Sequence, residues 1–214
     1  MKKSSLLSAA VVSLGLISAG SANAGTFSIK MVGDNDFAIF GGTATGINTL
    51  LYQNNDVWMT QIPNLSTLTF SLPTNDTMFY VLGMGGGGQE NISGTVNGVD
   101  MTSVSVSMSS DVQSFLTAYN LGAVTNGTYN VNLADVQTAF PQLTWGAPVI
   151  NTTDTVIQSA PNKTGFHFNN STAHLFSFTA LDVGVVQAVP EPASLALLGL
   201  GLLGLVASRR RKAV

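Results

Sequence analysis

The chain of 214 residues contains no cysteine. A domain that reaches an oxidising compartment without thiols has no disulfides to close its loops, so packing and hydrogen bonding must hold it. Positive charge is nearly as scarce. Between residues 25 and 189 the only basic side chains are Lys30 and Lys163, against ten acidic ones. The formal charge of that span is −8, which the basic chain ends conceal in the whole-chain value of −3. Without a cationic patch to displace counterions from phosphates, the composition argues against a nucleic-acid partner.

The usual catalytic signatures are missing as well. The span holds one glutamate, Glu90, and the chain two histidines, His167 and His174, with no Cys or third His to complete a zinc set. No G-x-S-x-G elbow supports a Ser/His/Asp hydrolase. Gly85-Gly86-Gly87-Gly88 runs into Gln89-Glu90, whereas a phosphate cradle needs Lys-Ser/Thr and a helix there. A loop or a close approach of backbone is the better reading. The expectation is a protein that is not an enzyme and takes no cofactor, although carboxylates paired only in space, as in an envelope glycan hydrolase, leave no mark on a sequence.

What is present starts at the two ends. Lys2-Lys3, an apolar stretch over residues 6–17 and Ala22-Asn23-Ala24 form the three parts of a signal peptide over residues 1–24, which signal peptidase removes to leave Gly25 first. At the other end no side chain from 193 to 208 is charged, and Arg209-Arg210-Arg211-Lys212 follows. As a helix that run spans about 24 Å, short of the roughly 30 Å hydrocarbon core. Local thinning and snorkelling arginines cover the difference. The basic cluster stays cytoplasmic and the rest of the chain lies outside. The expectation is a C-terminal transmembrane helix at 193–208 that anchors a single-pass inner-membrane intermediate.

Pro190-Glu191-Pro192, the Gly-interrupted apolar run and the cluster Arg209, Arg210, Arg211, taken in that order, resemble the PEP-CTERM sorting signal of Gram-negative bacteria. The resemblance covers residues 189–214 and implies handling by an exosortase, a membrane-embedded transpeptidase-like enzyme that removes such tails on the way to the cell surface. It further implies an association with exopolysaccharide and biofilm matrix. It says nothing of the domain upstream.

That domain, residues 25–188, is long enough for one sizeable core. Phe27-Ser28-Ile29-Lys30-Met31 alternates as a half-buried strand does; Gly33-Asp34-Asn35-Asp36 reads as a turn and residues 37–40 as a second strand ended by Gly41-Gly42. Strands are expected at 47–53, 57–60 and 66–72, the last with Leu68, Phe70 and Leu72 on one face. Residues 77–82 form a continuous apolar run, the mark of burial on both faces, and Asn97-Gly98 suits a type I′ hairpin turn. Val104, Val106 and Met108 alternate with serines and continue the sheet. Val112, Phe115, Leu116 and Tyr119 recur at helical spacing after Asp111, and a second short helix fits 133–140 before Pro141. Strand character returns at 143–150, 165–168 and 175–183. The fold class is therefore mainly β: an antiparallel two-sheet sandwich, jelly-roll-like, with a short helical insertion. Asp34-Asn35-Asp36-Phe37, Trp58 and Phe79-Tyr80-Val81-Leu82 before a Gly-rich loop resemble the galactose-binding-like jelly roll over about residues 26–101, which bears on fold rather than function.

Two site readings remain. Asp34, Asn35 and Asp36 offer hard oxygen ligands for Ca²⁺ within three positions, but no glutamate follows at EF-hand spacing, and a turn bonded to its own backbone is preferred. Trp58, Trp145, Tyr52, Tyr80, Tyr119 and Tyr129 are candidate stacking platforms for sugar rings, with core burial as the competing role. Trp58 and Tyr129, the latter beside Asn126-Gly127, are the favoured glycan contacts. The leading functional expectation is a non-catalytic component of the cell surface or exopolysaccharide matrix, with a carbohydrate-binding module at the same address as the alternative. Terminal sequencing of the exported protein should read Gly25-Thr26-Phe27; a start inside residues 1–24 contradicts the cleavage site.

Overall fold

The computed structural model describes residues 25–34, 36–54, 56, 58–61, 68–73, 75–86, 90–117, 130–153, 158, 163–169 and 171–185. The signal-peptide reading of 1–24 and the sorting-tail and membrane-helix readings of 189–214 lie outside them. Among the described residues no helix is long and apolar enough to cross a membrane. All of them fall within one unit, Ala24–Val186.

Twelve strands are described: β1 Gly25–Asp34, β2 Asp36–Thr43, β3 Gly46–Asn54, β4 Leu68–Leu72, β5 Met78–Met84, β6 Glu90–Val96, β7 Val99–Asp100, β8 Ser107–Ser109, β9 Trp145–Gly146, β10 Val149–Asn151, β11 Gly165–Phe168 and β12 Ala173–Thr179. Two helices accompany them, α1 Trp58–Gln61 and α2 Leu133–Ala139. One sheet has the order β10-β11-β6-β1-β4, with β7 beside β6, and the other runs β3-β2-β5-β12-β8-β9. Every strand pair is antiparallel. The mainly β, two-sheet expectation therefore holds, in a sandwich-like arrangement.

Side-chain alternation explains why two cores form. Phe37, Ile39, Phe79, Val81, Phe176 and Phe178 of the second sheet join Phe27, Ile29, Met31, Leu72, Ile92 and Phe166 of the first in one buried cluster. The intervening residues of the same three strands, Ala38, Phe40, Tyr80, Leu82, Met84, Ala173 and Leu175, point to the opposite face. There they pack with Val112, Leu116, Val131 and Val136 from the helical region. β2, β5 and β12 are thus buried on both faces, which is why the run expected at 77–82 is apolar from Met78 on, while Thr77, exposed, lies before β5. A Phe or Leu side chain taken fully out of water contributes about 1.5–3 kcal/mol. Ring contacts tie the two sheets together: Phe27 meets Phe79 edge-on at 4.5 Å and Phe166 stacks on Phe176 at 5.3 Å.

The hairpin at Asn97-Gly98 is as expected, both residues taking positive φ, 51° and 78°, as a type I′ turn requires. Several local readings are corrected. Gly33-Asp34-Asn35-Asp36 is not a four-residue turn: Asp34 ends β1 and Asp36 begins β2 in the other sheet. Gly41-Gly42 does not end the second strand, which runs to Thr43; a Cβ on Gly42 would sit 2.3 Å from the Gly46 carbonyl oxygen, so glycine here admits the neighbouring strand. Residues 57–60 were expected as a strand, yet Trp58–Gln61 is a helical turn. Gln61 closes it, donating from Nε2 to the Asp56 carbonyl and accepting from the Gly33 N–H at Oε1. Val104 and Val106 lie outside strands, and β8 joins the second sheet rather than extending β7's. The helix expected from Val112 is, where described, a 3-10 turn at Gln113–Phe115. Residues 143–150 form two short strands in different sheets, and the strand expected at 175–183 stops at Thr179 before a 3-10 turn at Leu181–Val183.

Gly94 and Gly46 form a matched test. A Cβ on Gly94 would lie 2.4 Å from the Lys30 carbonyl oxygen and 2.8 Å from Met31 Cα, whereas one on Gly46 meets nothing within 4 Å. Gly94→Ala should cost about 2 kcal/mol or more in denaturant unfolding, and Gly46→Ala should stay within about 0.5 kcal/mol.

Candidate functional site

Beyond the part of the second sheet's outer face that the helical region covers, a row of paired residues crosses three strands. Tyr80 of β5 pairs with Ser177 of β12, which pairs with Ser107 of β8. The row passes from an aromatic ring to two hydroxyls. Two further rings stand over it. Phe140 follows α2, whose first turn is capped by the Asn132 side chain accepting from Ala134 N–H. The Gln137 amide donates to the Ile47 carbonyl at 2.9 Å and pins the helix to β3. Trp145 belongs to β9, held in place by pairing with Ser109 and by the Ser110 N–H to Thr144 carbonyl bond of 2.7 Å.

The three rings form a closed set. Tyr80 and Phe140 meet at 90° with centroids 5.4 Å apart, Phe140 and Trp145 at 5.8 Å, and Tyr80 and Trp145 at 6.1 Å. Between them lies a cleft of about 190 Å³, also lined by Met78, Ser107 and Ser177. Trp145 keeps 36 % of its surface exposed, while Tyr80 keeps 2 %. Burial pushes the Tyr80 phenol up to about 12, so it remains a neutral donor, bonded to the Thr43 carbonyl. No charged side chain lines the cleft among the described residues.

The favoured glycan contacts fall outside the described side chains. Trp58 sits in α1, its side chain outside the described residues, and Tyr129 lies outside them altogether. So do Ala22, Ala24, Pro190, Glu191, Pro192, Arg209, Arg210 and Arg211; Gly25 pairs with Leu72 at the start of β1. Tyr52 packs into the core between Phe37 and Phe70. Trp145 was one of the six aromatics but not a favoured one, because its ring partners Tyr80 and Phe140 are 65 and 5 residues away in the chain.

Asp34 and Asp36 diverge. Asp34 pairs with Asn91 in the first sheet and Asp36 with Met84 in the second. Asp36 is 1 % exposed, and neither carboxylate oxygen meets a hydrogen-bond donor among the described residues. Burial, and then the negative charge of Asp56, raise its pKa from 3.8 to about 6. Among the described residues no three His, Asp or Glu side chains converge as a metal site would require. His174 is structural in its contacts, Nδ1 lying 2.8 Å from the Ser109 carbonyl and Nε2 3.0 Å from the Thr172 hydroxyl. At the glycine run the Glu90 carboxylate accepts from Gly86 N–H at 3.1 Å, and a Cβ on Gly85 would meet Glu90 Cγ at 2.6 Å. The glycine there makes room for a buried glutamate, and a carboxylate holds the place a phosphate would need.

These features describe a mainly β, two-sheet protein with an uncharged aromatic cleft on the outer face of one sheet. The PEP-CTERM protein-sorting motif matches residues 188–212. The chain thus carries the sorting signal that directs proteins to the cell envelope or beyond it and implies processing by exosortase. No curated protein and no solved structure matches the chain, so the galactose-binding-like resemblance rests on the sequence alone.

Because Asp36 has a higher pKa folded than unfolded, folding favours its protonated form. The penalty is absent below about pH 4, grows between pH 4 and 6, and is complete above pH 6, where it reaches about 3 kcal/mol. Asp36→Asn should therefore raise the melting temperature at pH 7.5 and leave it unchanged near pH 3.5. An equal shift at both pH values contradicts a buried, unpaired carboxylate.

Proposed function

We propose that this protein is a non-catalytic component of the cell surface or extracellular matrix. In this reading it is exported through its signal peptide and held briefly in the inner membrane by residues 193–208. Exosortase then releases it, and the mature domain acts by interaction rather than by turnover. The observation that carries the reading is the sorting motif at residues 188–212.

The engagement of four of the domain's carboxylates in structure supports the interaction role. Asp76 accepts from the Asn48 amide at 2.6 Å. Asp100 accepts from the Thr102 N–H and from the hydroxyls of Thr102 and Thr164. Asp111 accepts from the Gln113 and Ala173 N–H groups, and Asp135 from Thr117. Each joins segments that are adjacent in space or caps a turn, and a carboxylate so engaged is spent on structure. The alternative, a carbohydrate-binding module at the same address, is favoured by the aromatic cleft.

Deleting residues 190–212 tests the address. Immunoblotting of cytoplasmic, inner-membrane, surface and matrix fractions should find the intact protein at the surface or in matrix and the truncated one absent from both. An unchanged distribution contradicts the reading.

A further inference from the structure

We propose that the cleft between Tyr80, Phe140 and Trp145 is a subsite for one neutral pyranose ring of a polysaccharide, stacked on the Trp145 indole with its hydroxyls over Ser107 and Ser177. The inference rests on the interaction role proposed above and gives it a ligand class and a place.

Four observations lead there. First, Trp145 is exposed yet held. Its ring leans on Phe140 and Tyr80, and its backbone is paired to β8, so a part-exposed indole is presented at little conformational cost. A pyranose offers a flat patch of C–H groups to such a face, and an aromatic side chain with an apolar body and a fixed orientation suits it.

Second, the strand row beneath changes character where the ring would sit. Tyr80 is followed across the sheet by Ser177 and Ser107. On the covered side of this row β12 places Ala173 and Leu175 in one cluster with Val112, Leu116 and Val136, and on the other side it places Thr179, paired with Met78. Ser177 is buried and its hydroxyl donates to the Ser107 carbonyl at 3.4 Å, which leaves its oxygen as an acceptor, while the exposed Ser107 hydroxyl can both donate and accept. An acyl chain or an apolar peptide side chain gains nothing from such a floor, whereas a sugar hydroxyl bonds to it.

Third, charge selects among sugars. The cleft lining is uncharged among the described residues, and the span around it carries a formal −8, which repels uronates and other anionic glycans at low salt. Fourth, the volume fits one ring. About 190 Å³ lies below the roughly 300–1,000 Å³ of sites that engulf drug-sized ligands. The neighbouring Gly146 is exposed, with open space where a side chain would be, so a longer chain can continue past the β9 edge.

Single-ring recognition of this kind is weak, with a Kd of about 1 mM, and is strengthened by repetition along a polymer. The test is affinity electrophoresis and calorimetric titration of the protein purified from its host. The probes are neutral gluco-, galacto- and manno-oligosaccharides, with an oligogalacturonate of matched length as the charged comparator. At least one neutral series should bind. Trp145→Ala should weaken it about tenfold or more while the far-ultraviolet circular dichroism is retained, Trp145→Phe should keep most of the affinity, and the oligogalacturonate should not bind. Should Trp145→Ala unfold, the exposed position Ser107→Val carries the test by severalfold weaker binding in a folded protein. Absence of neutral-glycan binding, binding unchanged in folded Trp145→Ala or in Ser107→Val, or preference for the oligogalacturonate overturns the proposal. None of these results alters the fractionation experiment, so failure of the sugar subsite and failure of the surface assignment are read separately.

Discussion

Burial of β2, β5 and β12 on both faces is the constraint on which the rest of this domain depends. A sheet that faces water on one side needs a single apolar stripe per strand; these three need two, and Phe37 to Phe40 and Met78 to Met84 supply them residue by residue. One set of side chains closes against the first sheet and the other against α2 and its flanking turns. With no cysteine in the chain, this double layer takes over the role that disulfides hold in many exported domains. Polar strands at the periphery, such as β8 with its serines, are tolerable because the centre is fully desolvated.

The same constraint explains where the aromatic cleft arises. Among the described residues the helical cover reaches Tyr80 in the row formed by Tyr80, Ser177 and Ser107, and at that margin Phe140 and Trp145 close the cleft. A ring standing on a doubly buried strand does not shift when its neighbour is touched. Tyr80 is such a ring, packed from below and bonded to the Thr43 carbonyl. The sorting motif at residues 188–212 determines where this surface is displayed, and the domain determines what it meets there.

Much of this was legible in the sequence wherever the determining physics is local. Asn97-Gly98 is a hairpin because two adjacent residues tolerate positive φ, and the sorting tail is readable because it acts as a linear signal. Residues 78–82 betray double burial because no charged or amide side chain interrupts them. Long-range causes are what composition hid. Residues 57–60 have strand character, but Gln61 reaches the Gly33 N–H 28 residues earlier and converts the segment into a helical turn. Gly41-Gly42 looks like punctuation, and only the proximity of Gly46 and Asp76 shows it as the interior of a strand. The cleft was hidden for the same reason, since nothing near Trp145 in the chain announces Tyr80 or Ser177.

Native-state hydrogen exchange read by mass spectrometry tests the central claim most directly. Amides of β5 and β12 should exchange only through global unfolding and be the slowest in the protein, while those of β9 and β10 at the sheet edges should exchange orders of magnitude faster by local opening. If β5 and β12 exchange as readily as β9 and β10, the doubly buried sheet is not the foundation of the fold, and the rigid floor of the cleft goes with it.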